Sequence, residues 1–227
     1  MQSRVLEELV ALLVPPRCLA CGAAGGGLCA SCRGRVPWLR GPRCPRCALP
    51  APCAPCPAAR AAFVAAWSPV AHAGPARGLV ATLKFRAALE AAELMAAQIV
   101  AGAPAGLLDG AALVPVPSHP SQRRARGFDP AEQLARALVR RTHLALSPCL
   151  RRSGAAARQL GAPRAVRRRP GRVAIVVRGH APARAVLVDD VHTTGATLHG
   201  AARALRDAGC GEILAVTYAR TLRRPQG

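Results

Sequence analysis

The stretch Ala185-Val186-Leu187-Val188-Asp189-Asp190-Val191-His192-Thr193-Thr194-Gly195-Ala196-Thr197 decides the fold. Its four apolar residues, Ala185 to Val188, read as a buried strand of a parallel sheet that ends at two adjacent carboxylates. A short Thr/Gly loop follows, and Thr197 to Ala208 reads as a helix stopped by Gly209. Strand, acid pair, hydroxyl-and-glycine loop and helix suit a sugar phosphate. Thr193, Thr194, Gly195, Ala196 and Thr197 form the cradle. Loop amides and the helix N-terminus attract a dianion, the threonines add hydroxyl donors, and Gly195 lets the backbone come close. Asp189 and Asp190 can accept hydrogen bonds from vicinal ribose hydroxyls. The alternative, an ordinary strand-to-helix turn capped by Thr, does not explain two neighbouring acids with no Arg or Lys in the loop to pair with them.

This segment resembles the phosphoribosyl-pyrophosphate (PRPP) motif of type I phosphoribosyltransferases. A second strand-loop-helix unit precedes it. Ala111 to Val116 is an apolar run ending in Pro117, and a helix is expected from Pro130 to Arg141. The loop between them, Ser118 to Phe128, carries Arg123, Arg124 and Arg126. Those cations suit a departing pyrophosphate; the alternative is a solvated basic loop. Parallel α/β sheets place ligands at the carboxyl ends of their strands, so both loops should face one crevice.

The 227 residues suffice for one medium domain and a small appendage. Net charge is +21, which makes an anionic partner plausible. Lys84 is the sole lysine against 31 arginines, and asparagine is absent, so part of the charge reflects a compositional bias. Yet between Glu132 and Asp189 there are 13 arginines and no acid, so the basic stretch leads directly to the acid pair. A lone lysine hints at a site preferring a compact ammonium over a planar fork; the alternative is a surface cation.

Eight of the ten cysteines form four C-x-x-C pairs: Cys18/Cys21, Cys29/Cys32, Cys44/Cys47 and Cys53/Cys56. Two such pairs complete a tetrahedral thiolate site, so four imply two zinc ions with structural roles. The segment has little else to bury and needs a staple. Disulfides are the alternative, disfavoured by the pair spacing and by a cytoplasmic setting. Sequential pairing is expected, with Cys18, Cys21, Cys29 and Cys32 on one ion and the other four on the second. Spacing alone leaves interleaved pairing open. Cys149 and Cys210 read as buried free thiols.

Val5 to Val14 is too short to span a bilayer and carries Glu7 and Glu8. It reads as an amphipathic helix of a cytoplasmic protein without a secretory signal, with a peripheral membrane-contact helix as the alternative. Ala62 to Val70 is strand-like. Pro75 to Val100 reads as helix, broken near Phe85-Arg86. Ser153 to Arg172, Arg-, Ala- and Gly-rich, reads as a mobile lid or a plain surface loop. Val173 to Val177 and Ile213 to Tyr218 complete the strands.

Taken in order, these pieces resemble the ComF family, the competence-protein group of amidophosphoribosyltransferase-like chains. The resemblance rests on the N-terminal helix, the cysteine module, Leu83-Lys84-Phe85-Arg86, Val114-Pro115-Val116-Pro117 with His119, Arg126-Gly127-Phe128, Gln159 and the Asp189-Asp190 loop. The chain departs where the family usually continues Arg-Gly-Phe with Asn-Gln, having Asp129-Pro130, and where Pro170 replaces a further asparagine. The resemblance implies an α/β chain with a type I phosphoribosyltransferase fold, a mainly parallel sheet flanked by helices, behind an N-terminal double zinc ribbon. The expected divisions are 1–16 (helix), 17–57 (ribbon) and 58–222 (transferase-type domain). PRPP would bind with Mg²⁺ bridging the ribose hydroxyls and pyrophosphate. The site residues would be Asp189, Asp190 and Arg126, with Ser118, Arg123, Arg124, Lys84 and the 193–197 loop binding the ligand. Some relatives are linked to uptake of transforming single-stranded DNA, so a DNA-binding accessory protein working with other competence proteins is the second expectation. The six aromatic residues are few for a base-stacking platform.

Overall fold

A computed structural model describes residues 16–86, 89–153 and 174–222. The expected N-terminal helix, Gln159, Pro170 and nearly all of the expected lid lie outside the described residues. The described chain runs α1 (Ala30–Gly34), β1 (Ala65–Trp67), β2 (Val70–Ala71), α2 (Gly74–Arg86), α3 (Leu89–Gly102), β3 (Ala112–Pro115), α4 (Pro120–Arg126), α5 (Pro130–Thr142), β4 (Leu150–Arg152), β5 (Ile175–Val177), β6 (Arg184–His192), α6 (Ala196–Asp207) and β7 (Glu212–Arg220).

It is a mixed α/β architecture around a parallel sheet. The strand order is β1-β7-β6-β3, with β2 also paired to β7. β4 and β5 form a separate antiparallel ribbon. The expected strand over 62–70 is split because Pro69 has no N–H to give to the ladder, while the Ser68 and Thr217 hydroxyls bond at 2.7 Å across the gap. The strand through Val188 does not end at the acid pair. It continues to His192, pairing Asp189 with Thr217 and His192 with Arg220. β7 is long enough to keep supplying partners to these polar residues. The expected basic loop contains α4, begun by His119, whose Nδ1 accepts from the Ser121 N–H, and closed by Gly127 at φ 76°.

Both faces of the sheet are buried, which is why β6 reads as an unbroken apolar run rather than an alternation. On one face Val186, Val188, Val216 and Tyr218 pack with α2, α3 and α5 and with Cys18, Leu28 and Cys32. On the other, Val114, Leu187 and Ala215 pack with Leu198, Ala201 and Leu205 of α6 and with Cys47 and Leu49. The two cysteine knuckles therefore brace opposite faces of one sheet. α5 and α6 present apolar residues at helical spacing, Leu134/Leu138 and Leu198/Ala202/Leu205. Among the described residues no helix is long and apolar enough to cross a membrane.

Candidate functional site

The cysteine pairing is sequential. Cys18, Cys21, Cys29 and Cys32 converge with all four sulfurs within 4.8 Å, as do Cys44, Cys47, Cys53 and Cys56. Individual separations are 3.9 Å (Cys21–Cys29), 3.7 Å (Cys44–Cys56) and 3.3 Å (Cys47–Cys53). A tetrahedron with Zn–S of about 2.3 Å has edges of about 3.8 Å, so both sets fit zinc. Burial works against ionisation at Cys18 and Cys44, but backbone N–H donors outweigh it and bring these thiols down to about 6 and about 7. Burial and the neighbouring thiols push Cys32 up to about 12. The backbone donors thus favour the thiolate at Cys18 and Cys44, the form that binds a metal. Cys149 and Cys210 are free and buried.

A second site lies at the carboxyl end of β3, beside the second half of its parallel neighbour β6. It is a cavity of ≈ 270 Å³ lined by Lys84, Ser118, His119, Gln122, Arg126, Arg152, Asp189, Asp190 and Thr197, with Val116, Pro117, Pro130 and Ala131. Successive residues of a strand face opposite sides, so Asp190 belongs to the face covered by α2 and meets Lys84 there. The Nζ–Oδ2 distance is 2.8 Å. The partner missing from the loop is thus supplied by a helix remote in sequence. Asp189 turns the other way, and its Oδ1 accepts the Asp190 N–H at 2.8 Å. Burial, then the Asp190 charge, pushes the Asp189 carboxyl up to about 8.

Asp129 organises the part of the lining made by Ser118, Pro130 and Ala131. Its buried carboxylate accepts from the Ser118 N–H (2.8 Å), the Ser118 hydroxyl (3.0 Å) and the Ala131 N–H (3.2 Å). One side chain therefore caps α5 and holds Ser118 at the cavity, while Pro130 in the first helical turn has no N–H that would need an acceptor. The departure Asp129-Pro130 is a helix start in this chain. Arg152 donates from Nε to the Pro117 carbonyl at 2.7 Å, which lays the β4 end along the same part of the lining.

Of the residues expected from sequence, Lys84, Ser118, Arg126, Asp189, Asp190 and Thr197 come together at this cavity. Arg123 and Arg124 are exposed on α4 and do not line it, because a helix sends successive side chains around its axis. Thr193, Thr194, Gly195 and Ala196 form the turn beside it. Gly195 adopts φ 81°, and a Cβ there would come within 2.8 Å of His192 Nε2. The Thr194 hydroxyl accepts from the Ala196 N–H at 3.3 Å.

Gln122, Asp129, Arg152, His192 and Arg220 were not singled out from sequence as site residues. Asp-Pro ahead of an amphipathic helix is a capping signal that points to Asp129. One arginine among 31 carries no such signal. Burial holds His192 down at about 3, with the Arg220 charge adding to it, so the imidazole is neutral. Burial also lowers the Arg220 value, opposed by the sulfurs of Cys47, Cys53 and Cys56.

Residues 9–62 match the family model of the double zinc ribbon domain, which covers both cysteine knuckles. No curated protein matches the chain.

Proposed function

We propose that the cavity binds PRPP and that the chain is a phosphoribosyltransferase-type protein of the ComF kind. The observation that carries this reading is that the acid pair of β6 lines one cavity together with Arg126 and Arg152, at the carboxyl end of the neighbouring parallel strand β3. Asp189 and Asp190 accept the ribose hydroxyls. The 193–197 turn and the start of α6 take the 5-phosphate. Arg126 and Arg152 neutralise the pyrophosphate, and Lys84, paired with Asp190, fixes that carboxylate in place. Departure of pyrophosphate at the anomeric carbon requires positioning and charge stabilisation, with no nucleophilic side chain. The hard oxygen set of Asp189 and Asp190 fits Mg²⁺, which when bound with the ligand supplies further charge neutralisation.

The test is calorimetric titration of PRPP with Mg²⁺ into the zinc-loaded protein and into Asp189→Asn/Asp190→Asn. Wild type is expected to bind and the double variant to lose at least a hundredfold in affinity. Equal heats for the two proteins would remove the assignment. Pyrophosphate release with a panel of bases and amines then finds the acceptor.

A second reading, single-stranded nucleic acid, is favoured by Phe85. Its ring is 74% exposed, and the Arg126 guanidinium lies 5.3 Å from its centroid, so an open aromatic face adjoins a cation at the cavity.

A further inference from the structure

Arg220 ends β7 at 3% exposure, and its guanidinium joins the second cysteine knuckle to the turn before α6. Its Nε donates to the Cys47 carbonyl at 2.7 Å. Its Nη1 donates to the carbonyls of His192 (2.7 Å) and Thr221 (3.0 Å), and to that of Thr193. Cys47 belongs to the second knuckle, whereas His192 and Thr193 open the turn before α6. That turn rests on His192, since Gly195 leaves no room for a Cβ against Nε2. His192 in turn meets Phe63 edge-on at 6.3 Å. The Phe63 carbonyl accepts from Arg46, the residue before Cys47. A parallel tie runs to α6 itself, where His199 Nδ1 accepts the Ala62 N–H at 3.1 Å and Arg206 donates to the Ala62 carbonyl.

We infer that Arg220 is a positioning residue through which metal occupancy of Cys44, Cys47, Cys53 and Cys56 sets the order of the 193–197 turn. A tetrathiolate zinc centre carries a net negative charge, and a buried guanidinium nearby compensates it. The rigid fork also fixes the spacing between the Cys47 carbonyl and the His192 and Thr193 carbonyls. Lysine offers one point charge and no fork, so it cannot hold both sides at once. Coupling of this kind is reciprocal: the factor by which bound metal favours the ordered turn is the factor by which the ordered turn tightens the metal site. The first knuckle lies on the other face of the sheet, against α2, and serves as an internal comparison.

The experiment uses the zinc-loaded chain without any sugar phosphate, so its outcome is independent of the PRPP reading. Amide hydrogen exchange is followed in wild type, Arg220→Lys, Cys53→Ser and Cys21→Ser, alongside chelator-driven zinc release. Arg220→Lys is expected to speed exchange at residues 193–197 at least tenfold, to leave β3 unchanged, and to accelerate release of one zinc of the two at least fivefold. Cys53→Ser should give the same exchange pattern with Arg220 intact, and Cys21→Ser should leave the turn as in wild type. Unchanged exchange at 193–197 in Arg220→Lys overturns the inference. So does a rise spread equally over β3, β6 and β7, or an equal effect from Cys21→Ser. If Cys53→Ser does not accumulate as folded protein, the Arg220→Lys exchange pattern and its two release rates decide alone.

Discussion

Asp189 shows how one carboxyl can cost the folded protein stability. Its carboxyl is held up at about 8 by burial and by Asp190, whereas an unfolded chain releases this proton near the ordinary aspartate value of about 3.9. Between those values the folded chain binds the proton and the unfolded chain does not. The stability contribution of Asp189 therefore falls as pH rises from about 4 to about 8 and is level above that. Asparagine keeps the oxygen that accepts the Asp190 N–H and has no proton to lose. Asp189→Asn is accordingly expected to raise Tm by about 2–4 °C at pH 8, corresponding to about 1 kcal/mol in a chain of this size. At pH 4 the two proteins should melt together. Thermal melts across pH check this; a lower Tm for the variant at pH 8 would contradict the assigned burial. Lys84 shows the complementary economy. In a chain that uses arginine almost everywhere, the compact ammonium is placed where a buried carboxylate needs a single-point partner.

Among the elements, α2 matters most because it carries Lys84 to the site and is itself held by the first knuckle. Thr82 donates to the Leu19 carbonyl at 2.6 Å, and Gly78 packs its bare Cα against Ala20. A Cβ on Gly78 would overlap the Ala20 backbone. Alanine is the better helix former by about 1 kcal/mol, so an isolated helix would gain from Gly78→Ala. The overlap reverses the sign, and a net loss of about 1–3 kcal/mol is expected. Urea denaturation of the zinc-saturated proteins measures it; a stabilised variant would mean that α2 and the knuckle do not touch as described. The elements were largely legible in the sequence. The β6 run, the Pro130 start of α5, and the Gly209 stop of α6 follow from local rules. The extension of β6 to His192 was not legible, because its polar residues are held in the strand by the length of β7.

At the scale of the whole molecule, the ribbon is a clamp, with one knuckle against each face of the sheet. The net charge of +21 also acts at this scale. If the nucleic-acid reading holds, anisotropy of a labelled single strand should show binding whose logarithm falls linearly with log salt. A Phe85→Ala variant should lose about 1–3 kcal/mol of that affinity while keeping the salt slope. A flat response near physiological salt would leave the charge as background composition.

The cysteine spacing, the apolar run of β6 and the acid-hydroxyl-glycine sequence after it were settled within the chain's own local order. Each depends on neighbours a few residues away, where covalent geometry limits the choices. Tertiary structure alone decided that Lys84 reaches Asp190, that Arg126 lines the cavity while Arg123 and Arg124 do not, and that Arg220 spans from Cys47 to Thr193. Those partners lie far apart along the chain. A charge or a hydrogen-bond donor carries no address in the sequence until packing brings one particular acceptor within about 3 Å of it.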